Sequence, residues 1–435
     1  MSLKGKTISG VKWTTVSTVT LAVVGLIKIS VLARFLDAED FGLMALVTFV
    51  LGFMDLFMDM GLTSAILHKQ DITDKEYASL YWINVIFSLL LFGIISLVSP
   101  AIADFYEEPE LTILIPLMAV SIMLSALGRQ FKTVEQKHLN FRYIALTDIA
   151  GAAVGLIVGV LYAVWGYGVY ALVYAALTQD AISNAIYFIQ GLRDRGMMIY
   201  FKYREAKPFL KIGIYQVGGQ IVNYFNRDLD ILLIGKFLGS EVLGGYSLAK
   251  QLVKKPMSIL NPIITKVASP VLSLVQDDQQ KLREKFLSFL NLVSTANVMV
   301  YLLVAVFAYP LVYVLYGQSF LNIVVVVQIL SAYMYFRSIG NPMGGLIIAT
   351  GRTDLGFYWN LIVLSIMPVA IYIGALFSIE AIALSLSLTM LCLTLLAWRF
   401  IIFRITGSSF KKYLLKLVPD LKRLYRIILR ELPTS

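Results

Sequence analysis

The chain has 435 residues, of which 58% are hydrophobic and only 15% charged, and its mean hydropathy of +0.78 excludes an ordinary water-soluble globular protein. The formal net charge of +10 would suit nucleic acid, but the basic residues gather at the N-terminus, in every second inter-helix segment and at the C-terminus, and the opposite loops carry only Arg34 and Lys236. That alternation is the positive-inside bias of a multi-pass membrane protein, so the expected partner is the lipid bilayer and not nucleic acid.

Apolar stretches long enough to cross a hydrocarbon core of ~30 Å recur along nearly the whole chain. Lipid offers the backbone no hydrogen bonds, so each stretch must be helical. Twelve spans are predicted, over 10–35, 41–66, 78–99, 111–131, 144–165, 167–190, 208–236, 242–266, 286–310, 320–349, 355–377 and 380–404. The first reads as a retained span, because Lys28 interrupts its apolar run and no small-residue cleavage pattern follows. Charge placement puts both termini and the 193–211 connection in the cytoplasm, and DFYEEPEL (104–111), which lacks basic residues, outside. The longest polar break, 191–207, divides a six-helix lobe over 1–190 from a second over 208–404. A tail over 405–435 alternates basic with apolar residues at near-helical spacing, as an interfacial helix held to anionic lipid would.

The two lobes repeat each other. LARFLDAEDFG (32–42) returns as LIGKFLGSEVLG (233–244), so that Arg34-Phe35-Leu36 meets Lys236-Phe237-Leu238, Glu39 meets Glu241 and Gly42 meets Gly244 at one constant offset. Trp13 and Tyr215 share that offset; Asn84 and Asn291, Pro100 and Pro310, and Tyr106 and Tyr316 follow with a drift of a few residues. An even number of helices per lobe brings both in from the same side, which predicts an all-α membrane protein of about twelve helices in two bundles related by a pseudo-two-fold axis along the membrane normal.

The run GVKWTTVS, VLARFLDAEDFGLMALV and FMDMGLTSAILHK resembles the opening of the polysaccharide transporter family, the lipid-linked oligosaccharide flippases of the multidrug/oligosaccharidyl-lipid/polysaccharide exporter superfamily. IADFYEEPEL (102–111), WGYGVYALV (165–173), NRDLDILLIGKFLG (226–239), GGYSLAKQLVKKP (244–256) and ATGRTD (349–354) agree in order and spacing. The resemblance implies two six-helix bundles around a central cavity, alternating access, and an undecaprenyl-diphosphate-linked oligosaccharide as substrate, carried to the outer leaflet of a bacterial or archaeal cytoplasmic membrane for exopolysaccharide, O-antigen or capsule synthesis. It also implies polysaccharide polymerase and assembly proteins as partners of a monomeric transporter. Some relatives continue into two further helices, for which this tail offers no thirteenth span.

Ionisable groups inside spans are costly and are expected to face protein or water. Lys28, Arg227 and Arg337 are the candidates for the diphosphate, since guanidinium grips phosphate oxygens in a planar fork and lysine adds a point charge. Asp230 sits at the repeat position of Lys28, three residues after Arg227, and both could look into the cleft; alternatively Lys28 and Arg227 neutralise Asp228 and Asp230 structurally. Gly340-Asn341-Pro342 should break the helix that carries Arg337. Asp55 and Asp59, four apart on one helical face, could take a proton or Na⁺, or serve structurally by pairing with Lys69 or Arg129; Asp148 and Asp180 are further candidates of that kind. Asn84, Gln216, Gln220, Asn223 and Tyr224 could bind sugar hydroxyls or pack helices. Arg34, Glu39, Lys236 and Glu241 read as gate pairs at the outer mouth, and Gly218-Gly219 and Gly344-Gly345 as points of close packing or bending.

No resident cofactor is expected. The single Cys392 forms no internal disulfide, and His68 and His138 flank different helices. Asp228-Leu229-Asp230 imitates the glycosyltransferase DxD, yet nothing here could fold into the soluble domain that motif requires, and no nucleotide-binding loop appears. An ion-coupled cation antiporter of the same superfamily is the alternative, disfavoured by the three basic residues; a polysaccharide polymerase or ligase would need a large outer loop, and the longest here is about ten residues.

Overall fold

The computed structural model describes residues 3–59, 63, 66–67, 72–196 and 199–420, with the side chains of 3–8, 59, 195, 204–217 and 259–267 outside that description. The described chain is helical throughout. The helices are α1 (Leu3–Leu32), α2 (Ala38–Asp59), α3 (Asp74–Tyr106), α4 (Leu111–Lys137), α5 (Phe141–Val164), α6 (Val169–Arg195), α7 (Tyr203–Ser273), α8 (Gln279–Val306), α9 (Ala308–Tyr316), α10 (Val324–Ile339), α11 (Asn341–Ala349), α12 (Thr353–Ala375), α13 (Ile379–Ala397), α14 (Phe403–Thr406) and α15 (Phe410–Leu417). Ten stretches among the described residues are long and apolar enough to span a membrane. The protein is a multi-pass membrane protein. Two predicted spans, 208–236 and 242–266, merge into α7, whose only non-helical residue is Gly239 at φ 81°. The sixth predicted span, α6, is absent from the ten because polar residues such as Gln179, Asp180 and Asn184 interrupt its apolar run.

Local chemistry sets the helix ends. Thr73 and Glu76 close a capping box at the start of α3, and Asp278, Ser378 and Ser409 each accept backbone N–H bonds ahead of α8, α13 and α15. The break at Gly340-Asn341-Pro342 falls where expected, between α10 and α11. On α3, Ile86, Leu89, Leu90, Ile94, Leu97 and Val98 are exposed while Asn84, Ser88, Leu91 and Ile95 are buried. An apolar outer stripe at helical spacing is what a lipid-facing helix presents.

The chain forms two compact units, one of Met1–Tyr224, Leu238–Gly244 and Leu315–Gly317, the other of Phe225–Phe237, Gly245–Val314 and Gln318–Ser435. In the first, α5 packs on α1 and α6, and α4 on α3 and α6. In the second, α10 and α12 pack on α13, and α8 holds both α10 and the tail helix α15.

Within the first unit the two signature copies meet. A Cβ built on Gly42 would clash with backbone of Ser240, and one on Gly244 with backbone of Ala38. Ala38 and Ser240 are themselves repeat equivalents, so the contact is reciprocal. The signature glycines thus serve close helix packing, as Gly128, Gly155 and Gly374 do elsewhere. Gly218, Gly219 and Gly344 have nothing within 4 Å of an added Cβ and lie in helix, contrary to the role expected of them; only Gly345 is in contact, with Ala268 and Ser269.

Candidate functional site

Each unit carries a cluster of charged side chains. In the second unit the two arms of α7 fold back on each other about Gly239, bringing Asp228 and Asp230 abreast of Tyr246, Lys250 and Lys254. Lys250 Nζ lies 2.7 Å from Asp230 Oδ1, 3.2 Å from Asp228 Oδ1 and 3.0 Å from the Arg227 carbonyl oxygen. The Tyr246 hydroxyl donates to Asp230 Oδ2 at 2.6 Å. The side chains of Lys250 and Asp230 are only 7% and 8% exposed, so this pair is closed off.

Beside it lies an open half. Arg227 Nε donates to Asp228 Oδ2 at 2.5 Å, and Lys254 Nζ stands 3.8 Å from Oδ1 of the same carboxylate, with the two cations 50% and 43% exposed. Arg337, half-buried on α10, donates to the Tyr333 hydroxyl at 2.6 Å and to the Asn226 carbonyl at 3.4 Å. No carboxylate among the described residues lies within ion-pair distance of it, although Asp228 and Asp230 are close enough to act on it electrostatically. Among the described residues Arg227, Lys250 and Lys254 thus pair with two carboxylates, and Arg337 stands beside them on neutral partners.

The cluster in the first unit pairs its charges more evenly among the described residues. Arg129 pairs with Asp55. Lys132 grips both oxygens of Asp148 at 2.9 and 2.8 Å, and the Tyr187 hydroxyl donates to Asp148 at 2.9 Å. Lys28 Nζ lies 3.5 Å from Gln179 Oε1, next to Asp180, whose field Lys28, Asp55, Arg129 and Lys132 all shape. The carboxylate of Asp180 has no hydrogen-bond or ion-pair partner at contact distance among the described residues. Among the described residues, Arg129, Lys132 and Lys28 are thus accompanied by Asp55, Asp148 and Asp180.

Several expectations need correcting. Asp230 does not look into a cleft: it is 7% exposed and bound to Lys250 and Tyr246. Arg227 does pair with Asp228, but Lys250 neutralises Asp230, the place expected for Lys28 or Arg227. Tyr224 is 4% exposed, donates to the Phe49 carbonyl and packs its ring against Phe49 and Phe53, which occupies it in helix packing. Asn84 is used likewise, on the Ala126 carbonyl. Glu39 is near enough to Asp40, Glu108, Glu110 and Glu241 for their charges to act on it. Arg34, Glu241, Asn223 and Gln220 are exposed, and Lys236 is half-exposed. The side chains of Asp59, Lys69, His68, Tyr215 and Gln216 lie outside the described residues.

Sequence patterning missed Lys250 and Lys254, which look like two more cytoplasmic cations in the run AKQLVKK. A usable signal was present. Asp228 and Lys250 are equidistant from Gly239, so any hairpin at that glycine sets them side by side.

The sequence model described as "Polysaccharide biosynthesis protein" matches residues 31–325. The chain belongs to this family. It is 31% identical to the "Lipopolysaccharide biosynthesis protein WzxC" of Escherichia coli (strain K12), over 96% of this chain and 85% of that one. It is 26% identical to the "Teichuronic acid biosynthesis protein TuaB" of Bacillus subtilis (strain 168), over 85% and 77% of the two chains. Among solved structures it is similar to the lipid II flippase MurJ in an inward closed conformation, with TM-score 0.77 at 15% identity over 97% and 93% of the chains. A multidrug resistance MATE family transporter of the MOP superfamily follows with TM-score 0.68 at 16% identity over 90% and 95%. At those identities the likeness is one of fold, and the fold of this polysaccharide biosynthesis protein is the all-helical one of the MOP superfamily.

Proposed function

We propose that this polysaccharide biosynthesis protein is a flippase that carries a polyprenyl-diphosphate-linked oligosaccharide from the cytoplasmic to the outer leaflet by alternating access. The observation that supports it best is the cluster on α7 and α10, where among the described residues Arg227, Lys250, Lys254 and Arg337 gather about two carboxylates on membrane-spanning helices. An excess of positive charge is costly at that depth unless an anion answers it, and a diphosphate diester brings two negative charges. Arg227 and Arg337 supply guanidinium forks for its oxygens. Lys28 keeps its proposed role as an additional point charge for the diphosphate. A cation antiporter would be expected to hold the opposite excess.

Transport of this kind needs no covalent step. The basic groups lower the cost of a phosphate charge in the bilayer while the isoprenoid stays in lipid, and the head group is reached first from the cytoplasm and then from outside. Both termini then face the cytoplasm, and polymerase and assembly proteins receive the product outside. If an ion gradient drives the cycle, Asp180 is the carboxylate best suited to take H⁺ or Na⁺, because Asp55, Asp148, Asp228 and Asp230 already hold cationic partners. Asp55 and Asp59 keep their proposed role in ion coupling, and Arg34, Glu39, Lys236 and Glu241 theirs as gate residues.

The test is reconstitution into liposomes with a fluorescent undecaprenyl-diphosphate oligosaccharide. Arg227→Gln and Arg337→Gln should each slow its appearance in the opposite leaflet by about tenfold or more, the value of one charge-assisted hydrogen bond. Unchanged rates in well-folded variants would remove both residues from the site.

A further inference from the structure

The open half of the second-unit cluster has more to do than hold one ion pair. We propose that Asp228 is an internal stand-in for the substrate phosphate, occupying Arg227 and Lys254 until a diphosphate displaces it, and that Lys254 is then a phosphate-binding residue. This rests on the flippase proposal and adds to it a competitor and a further cation.

Three cations converge on Asp228. Arg227 Nε takes Oδ2 at 2.5 Å, while Lys250 and Lys254 share Oδ1 at 3.2 and 3.8 Å. They are not equally satisfied. Lys250 is 7% exposed and has Asp230 at 2.7 Å and the Arg227 carbonyl at 3.0 Å. Lys254 has Asp228 alone among the described carboxylates, at a distance too long for a hydrogen bond, and its side chain is 43% exposed. With Lys250 held by Asp230, Asp228 is left to Arg227 and Lys254, and it meets Lys254 only at 3.8 Å.

The arrangement also makes exchange inexpensive. When a phosphate oxygen takes over Arg227 and Lys254, Asp228 keeps Lys250 through Oδ1, so its carboxylate is not left buried and unpaired. Asp228 is the residue next to Arg227 and only 17% exposed, which places it as a bound anion would be placed: behind the two exposed cations and against the closed Lys250–Asp230 pair. The flexible four-carbon stem of Lys254 can follow a larger anion outward, whereas the planar fork of Arg227 turns in place.

A competitor makes an unusual prediction: removing a residue of the site should tighten binding. Purified full-length chain in detergent is titrated calorimetrically with farnesyl diphosphate. Lys254→Gln should weaken binding about ten- to a hundredfold, and Lys254→Arg should largely restore it. Asp228→Asn should tighten binding severalfold, because the amide no longer competes for Arg227 and Lys254. Binding left unchanged by Lys254→Gln, or left unchanged or weakened by Asp228→Asn, overturns this assignment while the flippase proposal stands. A wild-type chain that does not bind farnesyl diphosphate at all overturns both.

Discussion

The signature glycines offer a sharp test of the packing argument. A Cβ on Gly42 would lie 2.6 Å from the carbonyl carbon of Ser240, and one on Gly244 2.6 Å from that of Ala38, with the carbonyl oxygens nearer still. Ordinary contact begins at 3.4 Å, so Gly42→Ala must part the start of α2 from α7 by at least 0.8 Å, the difference between those distances. The obstacle on both sides is backbone, which cannot swing away as a side chain would. Overpacking of this kind costs about 1–3 kcal/mol, and backbone against backbone belongs at the upper end. Helix propensity works the other way, favouring alanine over glycine by up to about 1 kcal/mol. The sign of the change therefore decides. Thermal unfolding in detergent, followed by fluorescence-detected size exclusion, should show Gly42→Ala and Gly244→Ala each melting lower than wild type. The double variant should lose less than the sum, since both changes open the same contact. Gly93→Ala, at a helical position with nothing within 4 Å, carries the propensity gain alone and should not melt lower. If Gly42→Ala behaves like Gly93→Ala, the close crossing does not hold the signature copies together.

Three more outcomes follow from the polar contacts. Lys250→Met takes from buried Asp230 the one cation it pairs with among the described residues and should destabilise the chain by about 3–5 kcal/mol, whereas Lys250→Met combined with Asp230→Leu should recover part of that loss; equal melting of the single and double variants would argue against the buried pair. Asn291 donates to the Lys416 and Val418 carbonyls and Ser294 to that of Leu417, so Asn291→Ala should cost about 1–3 kcal/mol of local stability and speed amide exchange over 413–420, with exchange confined to its wild-type rate as the contrary result. Asp278 is held below the usual carboxylate range by the Lys281 backbone N–H and by the Lys281 ammonium. Its folded pKa is depressed, so its contribution is complete above the unfolded value and is lost as the pH falls through the folded one. Asp278→Asn keeps the capping oxygen without the charge and should flatten the acid limb of the stability profile; an unchanged limb would place the titration elsewhere.

How far the residues alone could lead depends on the kind of information needed. Spans were readable because the solvent imposes a simple rule on every stretch alike. The break at Gly340 was readable because proline removes a donor wherever it occurs. Asp230 was misplaced because a carboxylate on a helix looks the same in sequence whether it faces water or a lysine from another arm. Tyr224 was misplaced for the same reason, since its hydroxyl finds the Phe49 carbonyl only after the chain has folded. Gly218-Gly219 drew attention as a doublet, yet it is Gly42 and Gly244 of the repeated signature whose positions leave no room for a Cβ.

Hydropathy, the alternation of basic loops and the repeated signature determined by themselves that this is a multi-pass helical membrane protein with a duplicated plan. Those features are one-dimensional, fixed by a slab of lipid that acts on each segment independently. Which charges neutralise which was decided only in three dimensions. Coulomb energy depends on the separation of groups far apart in the chain, and it was the reversal of α7 at Gly239 that set Lys250 against Asp230 and left Arg227 and Lys254 to share one carboxylate.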